Sequence, residues 1–396
     1  MKRYNWFFLI LVTGVMFSCK PESEEELVGD WQRRQSCPGT GRCHATTFVI
    51  GNKGYVIGGY NGTNTLRREI YEFDGEKAVW RSTFPLVPVR IPARQQAVGF
   101  SLNGKGYMGT GWAYLGTDDE GTLRDFWQFD PGKYDPTIED EEERNLSWEE
   151  AWEEVAPFPG KARRGAVAFS LQVGAKEYGF VGCGFTDGDD AEYLMDFWKF
   201  DPNGTTGEKN GKWTQLDLEH DPYEGGKRAG AAVFVVNNKA YICVGENTNG
   251  AITDFYVFDP NASTGNQWSS LRTMANANKD EDYDDDYGRL QRAWGVGYVV
   301  AVDGELRGHI VGGKAGYGYT NWEYNHHSVN EGGDLWTQRT NFYNNGSASH
   351  AREGMISFSF PNGRAFVGLG RSGISNSEDL WEFKPLIEDD TYYDYQ

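Results

Sequence analysis

Short apolar runs alternate with glycine and polar turns along this chain, and the alternation comes round six times. A unit opens with an apolar stretch behind an arginine, as in Ala229–Val236 after Arg228. An Asn/Gly turn follows, such as Asn52-Lys53-Gly54 or Asn103-Gly104-Lys105, and predicts a hairpin into the next run. That second run ends in glycine: Gly54-Tyr55-Val56-Ile57-Gly58-Gly59, Gly106-Tyr107-Met108-Gly109-Thr110-Gly111, Ala240-Tyr241-Ile242-Cys243-Val244-Gly245. After a variable loop comes an aromatic run, best preserved as Asp125-Phe126-Trp127-Gln128-Phe129-Asp130-Pro131 and Asp196-Phe197-Trp198-Lys199-Phe200-Asp201-Pro202. A fourth run carries Trp80, Trp152, Trp213, Trp268 or Trp336. Runs this short, bounded by turns and rich in β-formers, read as strands. Four strands per unit, repeated every 50–70 residues, predict an all-β, six-bladed propeller.

The sixth unit reaches its aromatic run at Trp381 and has no tryptophan beyond it. A matching segment stands at the other end of the chain, where Asp30-Trp31-Gln32-Arg33-Arg34 is similar to Lys212-Trp213-Thr214-Gln215-Leu216. The N-terminal strand is therefore expected to complete the last blade, leaving no open sheet edge at the seam. The di-glycine, the spaced aromatics and the fourth-strand tryptophan resemble the kelch repeat over about residues 30–385, which implies a kelch-like propeller. Two stretches depart from the pattern and are expected to be surface loops. One is the acidic insertion near Glu139–Arg144; the other is the long segment between Gly313 and Trp336.

The formal charge of −20 speaks against nucleic acid as a partner and against adsorption to anionic lipid. The N-terminus adds a different kind of signal. Lys2 and Arg3 precede an apolar run from Trp6 to Met16, too short to span a bilayer, and Ser18-Cys19 closes it. Residues 1–18 resemble a bacterial lipoprotein signal peptide, which implies that Cys19 is lipidated and becomes the first residue of the mature chain. Residues 19–29 then read as an acidic tether, and 386–396 as an acidic, tyrosine-rich tail. The tether also resembles the export signal of Bacteroidetes surface lipoproteins. The resemblance implies an outer-membrane lipoprotein, with cell-surface and periplasmic orientations both open. Cys37 and Cys43 flank a Pro-Gly-Thr-Gly-Arg turn, and both a disulfide and two free thiols remain open. Cys183 and Cys243 fall one position apart in the repeat, hence on opposite strand faces, and read as small buried residues.

Candidate chemistry gathers where the first strand begins and the second ends. An arginine column, Arg42, Arg94, Arg164, Arg228, Arg292 and Arg352, precedes the first strands. In three blades its distance to the second-strand tyrosine is 13 residues. Guanidinium groups around a channel mouth would suit carboxylates. Local carbonyls and neighbouring acids are expected to occupy most of the six, leaving two or three for a ligand. The loops after the second strands carry Tyr60, Trp112, Tyr114, Phe185, Glu246, Tyr317 and Tyr319, an aromatic set suited to sugar faces or to a protein surface. The expected function is non-catalytic binding of a glycan or a carboxylate-bearing protein, without a cofactor. Val244-Gly245-Glu246-Asn247 resembles the equivalent loop of bacterial kelch mutarotases acting on sialic acid, where a glutamate takes part in ring opening. Those enzymes have an arginine six residues later, where this chain has Ile252. A sugar mutarotase or epimerase using Glu246 is thus the alternative.

Galactose oxidase also has a kelch-type propeller, with copper held by tyrosines and histidines. The histidines here are His44, His220, His309, His326, His327 and His350, and no cysteine stands where a Cys–Tyr crosslink would form, so copper is not expected. Asp282, Asp284 and Asp286 alternate like calcium ligands. In an EF-hand frame, however, Gly288 comes one residue late and Ala293 replaces the closing glutamate, which leaves at most a weak site.

Overall fold

A computed structural model describes residues 27–388, apart from 63–64, 82–83, 115–119, 190, 218, 278–283, 315–316, 327–334 and 343–350. Six antiparallel four-stranded sheets stand in a ring. Blade one comprises Thr46–Ile50, Lys53–Ile57, Ile70–Asp74 and Val79–Arg81. Blade two comprises Val98–Leu102, Lys105–Gly109, Phe126–Phe129 and Trp152–Val155. Blade three comprises Val167–Val173, Lys176–Gly182, Phe197–Thr206 and Lys209–Gln215. Blade four comprises Ala232–Val236, Lys239–Cys243, Phe255–Phe258 and Trp268–Ser270. Blade five comprises Ala293–Val302, Glu305–Lys314, Asn321–Asn325 and Leu335–Arg339. Blade six takes Ile356–Ser359, Ala365–Gly368 and Leu380–Glu388 from the C-terminal end, and its outer strand is Val28–Arg34. The chain is thus a six-bladed β-propeller closed by its N-terminal strand, as the sequence predicts.

The core lies between blades. In every blade an aromatic pair from the first two strands packs on a third-strand ring of the next blade. Phe100 and Tyr107 stack 5.4 Å apart and meet Phe200, and Phe234 and Tyr241 repeat the arrangement against Tyr324. Glycine at the start of a second strand makes the close approach possible: a Cβ on Gly106 would stand inside the Phe48 ring of blade one. In blade five the pair is Tyr298 and His309, stacked 4.8 Å apart and both buried.

The seam is built from three kinds of contact. Trp31 lies opposite Phe383 in the strand register. Its ring packs on Phe342 and Phe383 at 4.9 Å, and its indole N–H donates to the Thr340 carbonyl at 3.0 Å. Burying one such ring contributes a few kcal/mol, of order 25 cal/mol per Å² of apolar surface removed from water. Beside it, the buried Glu382 accepts from Arg34 and Arg364. Burial pushes this carboxyl up, but hydrogen bonds from Arg364, Lys384 and Arg34 outweigh it and bring its pKa down to about 2.

Two loop expectations need correction. The acidic insertion forms a helix, Glu141–Glu150, capped by the Asp140 carboxylate accepting from the Glu143 N–H at 2.9 Å. Its acids stand in the first turn, where the helix dipole favours them, and Trp148 anchors it against Phe129 and Trp152. In blade five, the segment after Gly313 is only partly loop: Asn321-Trp322-Glu323-Tyr324-Asn325, a looser copy of the aromatic run, forms the third strand, the start of Leu335–Arg339 follows, and the first two strands lengthen to ten residues each. Cys37, Cys43, Cys183 and Cys243 are buried free thiols, each with its pKa pushed up to about 12 by burial. The signal segment, Cys19 and most of the acidic tether lie outside the described residues. Among the described residues no helix is long and apolar enough to cross a membrane.

Candidate functional site

The arginine column is part of the framework. Arg42, Arg94, Arg228, Arg292 and Arg352 are at most 2% exposed, and the sixth member is Arg163, not Arg164. Each guanidinium finds its partners inside its own unit. Arg163 donates to the carbonyls of Lys161 at 3.0 Å and Cys183 at 2.9 Å, and holds both Asp196 oxygens at 2.7 and 2.8 Å. Arg94 binds Pro92, Thr110 and Asp125 in the same way; Arg228 binds Gly226, Val244 and Asp254. Arg352 clamps Asp379, and Arg42 faces Glu69. Arg292 differs. Its partners are Leu290, Arg289, Gly312 and Thr320, with no carboxylate among the described residues, and burial brings its pKa down to about 10.

Two closed circuits of backbone hydrogen bonds surround the axis and fix this frame. In the outer circuit the last glycine of a second strand donates to the column arginine's carbonyl in the next blade. The links run from Gly59 to Arg94, Gly111 to Arg163, Gly184 to Arg228, Gly245 to Arg292, Gly313 to Arg352 and Gly370 to Arg42. These glycines have φ of 90–121°, which their repeated identity reflects. In the inner circuit the residue two places after each column arginine donates to its counterpart in the preceding blade. It runs through His44, Gln96, Gly165, Gly230, Trp294 and Gly354 and back to His44. All six are left-handed, with φ of 54–62°.

Antiparallel bridges between these circuits place one residue per blade around the mouth: Tyr60, Trp112, Phe185, Glu246, Lys314 and Arg371. Hairpins rise from four of these positions: Trp112–Tyr114 with Glu120–Thr122, Phe185–Thr186 with Glu192–Tyr193, Glu246–Asn247 with Gly250–Ala251, and Arg371–Ser372 with Ser375–Asn376. They form a crown. Tyr60, Trp112, Phe185 and Glu246 are therefore brought together as the sequence suggests, with Tyr114 on the second-strand side of its hairpin at 47% exposure. Tyr317 is 44% exposed beside Glu246, and Tyr319 lies half-buried behind it.

The crown's cations are paired with its acids. Arg164, directly after the framework arginine, meets Asp187 at 3.1 Å and donates to Gln96 at 2.8 Å, with Phe185 under its guanidinium. Arg371 pairs with Glu353. Lys314 pairs with Glu246 at 3.3 Å, and Glu246 also accepts from the Trp294 indole at 2.6 Å. A cavity of about 300 Å³ beside Glu246 is lined by Gln291, Arg292, Lys314 and Tyr317. Below the mouth, a neutral axial channel of about 200 Å³ runs between small first-strand residues such as Thr47, Gly99, Ala168, Val233 and Gly297. It continues into a bowl of about 500 Å³ on the opposite face.

No protein-family model matches this chain, and no curated protein matches it. The fold has solved counterparts. The structure of YjhT resembles it with a TM-score of 0.58 over 88% of this chain and 95% of that one, at 14% sequence identity. At that identity the likeness shows the fold alone.

The remaining candidates do not converge. Asp284 is buried and accepts from the Ala277 N–H, Asp286 pairs with Arg289, and Asp282 lies outside the described residues. Among the described residues no three His, Cys, Asp or Glu side chains group as a metal site would need. His44 reaches the mouth, His309 is core, His220 pairs with Asp217 at the surface, and His327 and His350 lie outside the described residues.

Proposed function

We propose that the protein is a glycan-binding, kelch-like propeller whose crown holds its ligand without chemical change. The observation that carries this reading is the charge pairing of the crown. Its cations Arg164, Lys314 and Arg371 each face an acid, so the surface offers neighbouring donors and acceptors but little net charge. Such pairs suit hydroxyl groups, each of which donates and accepts, and Tyr60, Trp112 and Phe185 between them suit the apolar face of a sugar ring. With the column arginines buried, a ligand carboxylate would have to displace an acid already in place at five of the six. A neutral glycan therefore fits better than a carboxylate-bearing protein. We further propose that the chain is held in the cell envelope by a lipid on Cys19; palmitate labelling lost in Cys19→Ser tests that part separately. For the glycan, binding to a printed array should be seen with the wild type and weakened by Trp112→Ala and Arg164→Met. An array on which these variants and the wild type behave alike removes the crown as the site.

One observation favours a second reading. Arg292, without a carboxylate partner among the described residues, lines the same cavity as Glu246, so a carboxylate and a cation held only by carbonyls and a hydroxyl border one space. A sugar acid held there could be opened at its ring oxygen with Glu246 moving the proton. Anomer exchange of sialic acid followed by NMR separates the readings: acceleration that disappears in Glu246→Gln favours the enzyme.

A further inference from the structure

We infer that Trp294 is the floor of the crown's ligand site, an aromatic platform laid across the propeller axis on which a sugar ring stacks. The inference rests on the glycan-binding reading and adds a residue to it. Trp294 belongs to blade five, yet its side chain reaches three other blades. It lies over Gly165 of blade three and Gly230 of blade four, where added Cβ atoms would come within 2.5 and 2.6 Å of the indole. It meets His44 of blade one edge-on at 5.2 Å. Its N–H is held by Glu246 of blade four at 2.6 Å.

The backbone makes this placement notable. Trp294 has φ of 62°, in the left-handed region that a bulky side chain rarely occupies. Three of its five equivalents, Gly165, Gly230 and Gly354, are the residue that position favours. The inner hydrogen-bond circuit needs only a backbone N–H and C=O at each place, so glycine would close the ring as well at 294. Strain accepted where glycine would serve points to a use for the side chain. The indole is half-buried, with the channel below it and the crown above. The edge held by Glu246 fixes the ring plane, and Lys314 and Arg164 bring charged donors to the same mouth. An oriented aromatic face with an anchored carboxylate beside it is the arrangement that takes the apolar side of a pyranose while its hydroxyls reach polar groups.

The test uses the full-length protein and two variants. Trp294→Gly removes the platform at a position already suited to glycine, and Trp294→Phe keeps an aromatic face without the indole N–H. The wild type is first read on a printed array of neutral and acidic glycans, and the strongest neutral oligosaccharide is carried into calorimetry. Trp294→Gly should bind it at least tenfold more weakly, with an unchanged melting cooperativity, and Trp294→Phe within about threefold of wild type. Trp294→Gly binding as tightly as wild type overturns the platform while leaving a glycan-binding crown standing. A wild type that binds no glycan on the array overturns the parent reading and the platform together.

Discussion

Arg163 and Arg164 are neighbours in sequence with opposite tasks, and replacing each by methionine should separate framework from site. Arg163→Met removes a guanidinium at 0% exposure and leaves the Asp196 carboxylate and the Cys183 carbonyl without their buried donor. Burial raises the Asp196 pKa, and the hydrogen bonds from Arg163 and Trp198 more than reverse it. With Arg163 gone, desolvation is left largely uncompensated. Breaking a buried pair by removing one partner costs about 3–5 kcal/mol, and methionine recovers only part of the lost packing. Arg164→Met removes a pair whose side chains are 28% and 26% exposed, worth about 0–1 kcal/mol. Urea unfolding followed by far-UV dichroism should therefore show a large loss for Arg163→Met and almost none for Arg164→Met. Glycan binding, measured well below either unfolding transition, should show the reverse. If Arg163→Met unfolds like wild type and loses binding, the column is a ligand site and the framework argument is wrong.

Three further outcomes follow from the same contacts. Trp31→Ala empties the seam and should cost about 3–5 kcal/mol, and a chain beginning at Gly41, which lacks the whole closing strand, should fold poorly; unchanged urea midpoints would refute the closure. His44 and His309 are each brought down to about 4 by burial, against an ordinary value of 6.5. The unfolded chain thus binds their protons first, so stability is full above pH 6.5 and falls between 6.5 and 4, by up to about 3 kcal/mol per histidine. His309→Phe, which restores the ring found in other blades, should flatten that slope; a slope unchanged in the variant assigns it elsewhere. Finally, Cys37, Cys43, Cys183 and Cys243 should resist Ellman's reagent in the native protein and react in urea, since none presents a thiolate or a free surface.

The blade count and the closing strand were legible because they depend on runs of strand length and on one tryptophan per blade. The arginine frame was harder, for a reason that lies in the strand period. In blades one, two and four the column arginine stands 13 residues before the second-strand aromatic. In blade three the first two strands are seven residues long instead of five, which adds four to that separation and selects Arg163 before Phe180. Arg164 is one off, and an odd shift turns a side chain to the opposite face. The same count links Arg292 to His309 and would have marked that histidine as core. Lys314 and Arg371 directly follow their glycines, as Tyr60 and Glu246 do, but they carry neither the ring nor the carboxylate that marks the other members. The Glu141–Glu150 helix had its signal too, an aspartate cap with a glutamate three residues on.

Trp294 had no such signal, because its role follows from a circuit that only the folded ring assembles. That circuit also explains how the crown can carry function at small cost to the fold. Closure is secured by main-chain hydrogen bonds, which do not depend on side-chain identity, and by guanidiniums such as Arg94, Arg163 and Arg228, whose several donors meet two carbonyls and a carboxylate at once. A lysine, with one ammonium point, could not span those acceptors. The residues one place beyond each arginine and each glycine are released from that duty. They differ from blade to blade for that reason: at one structural position stand three aromatics, Tyr60, Trp112 and Phe185, one acid, Glu246, and two cations, Lys314 and Arg371. A sixfold scaffold thereby presents an asymmetric mouth, and asymmetry is what a single bound ligand requires.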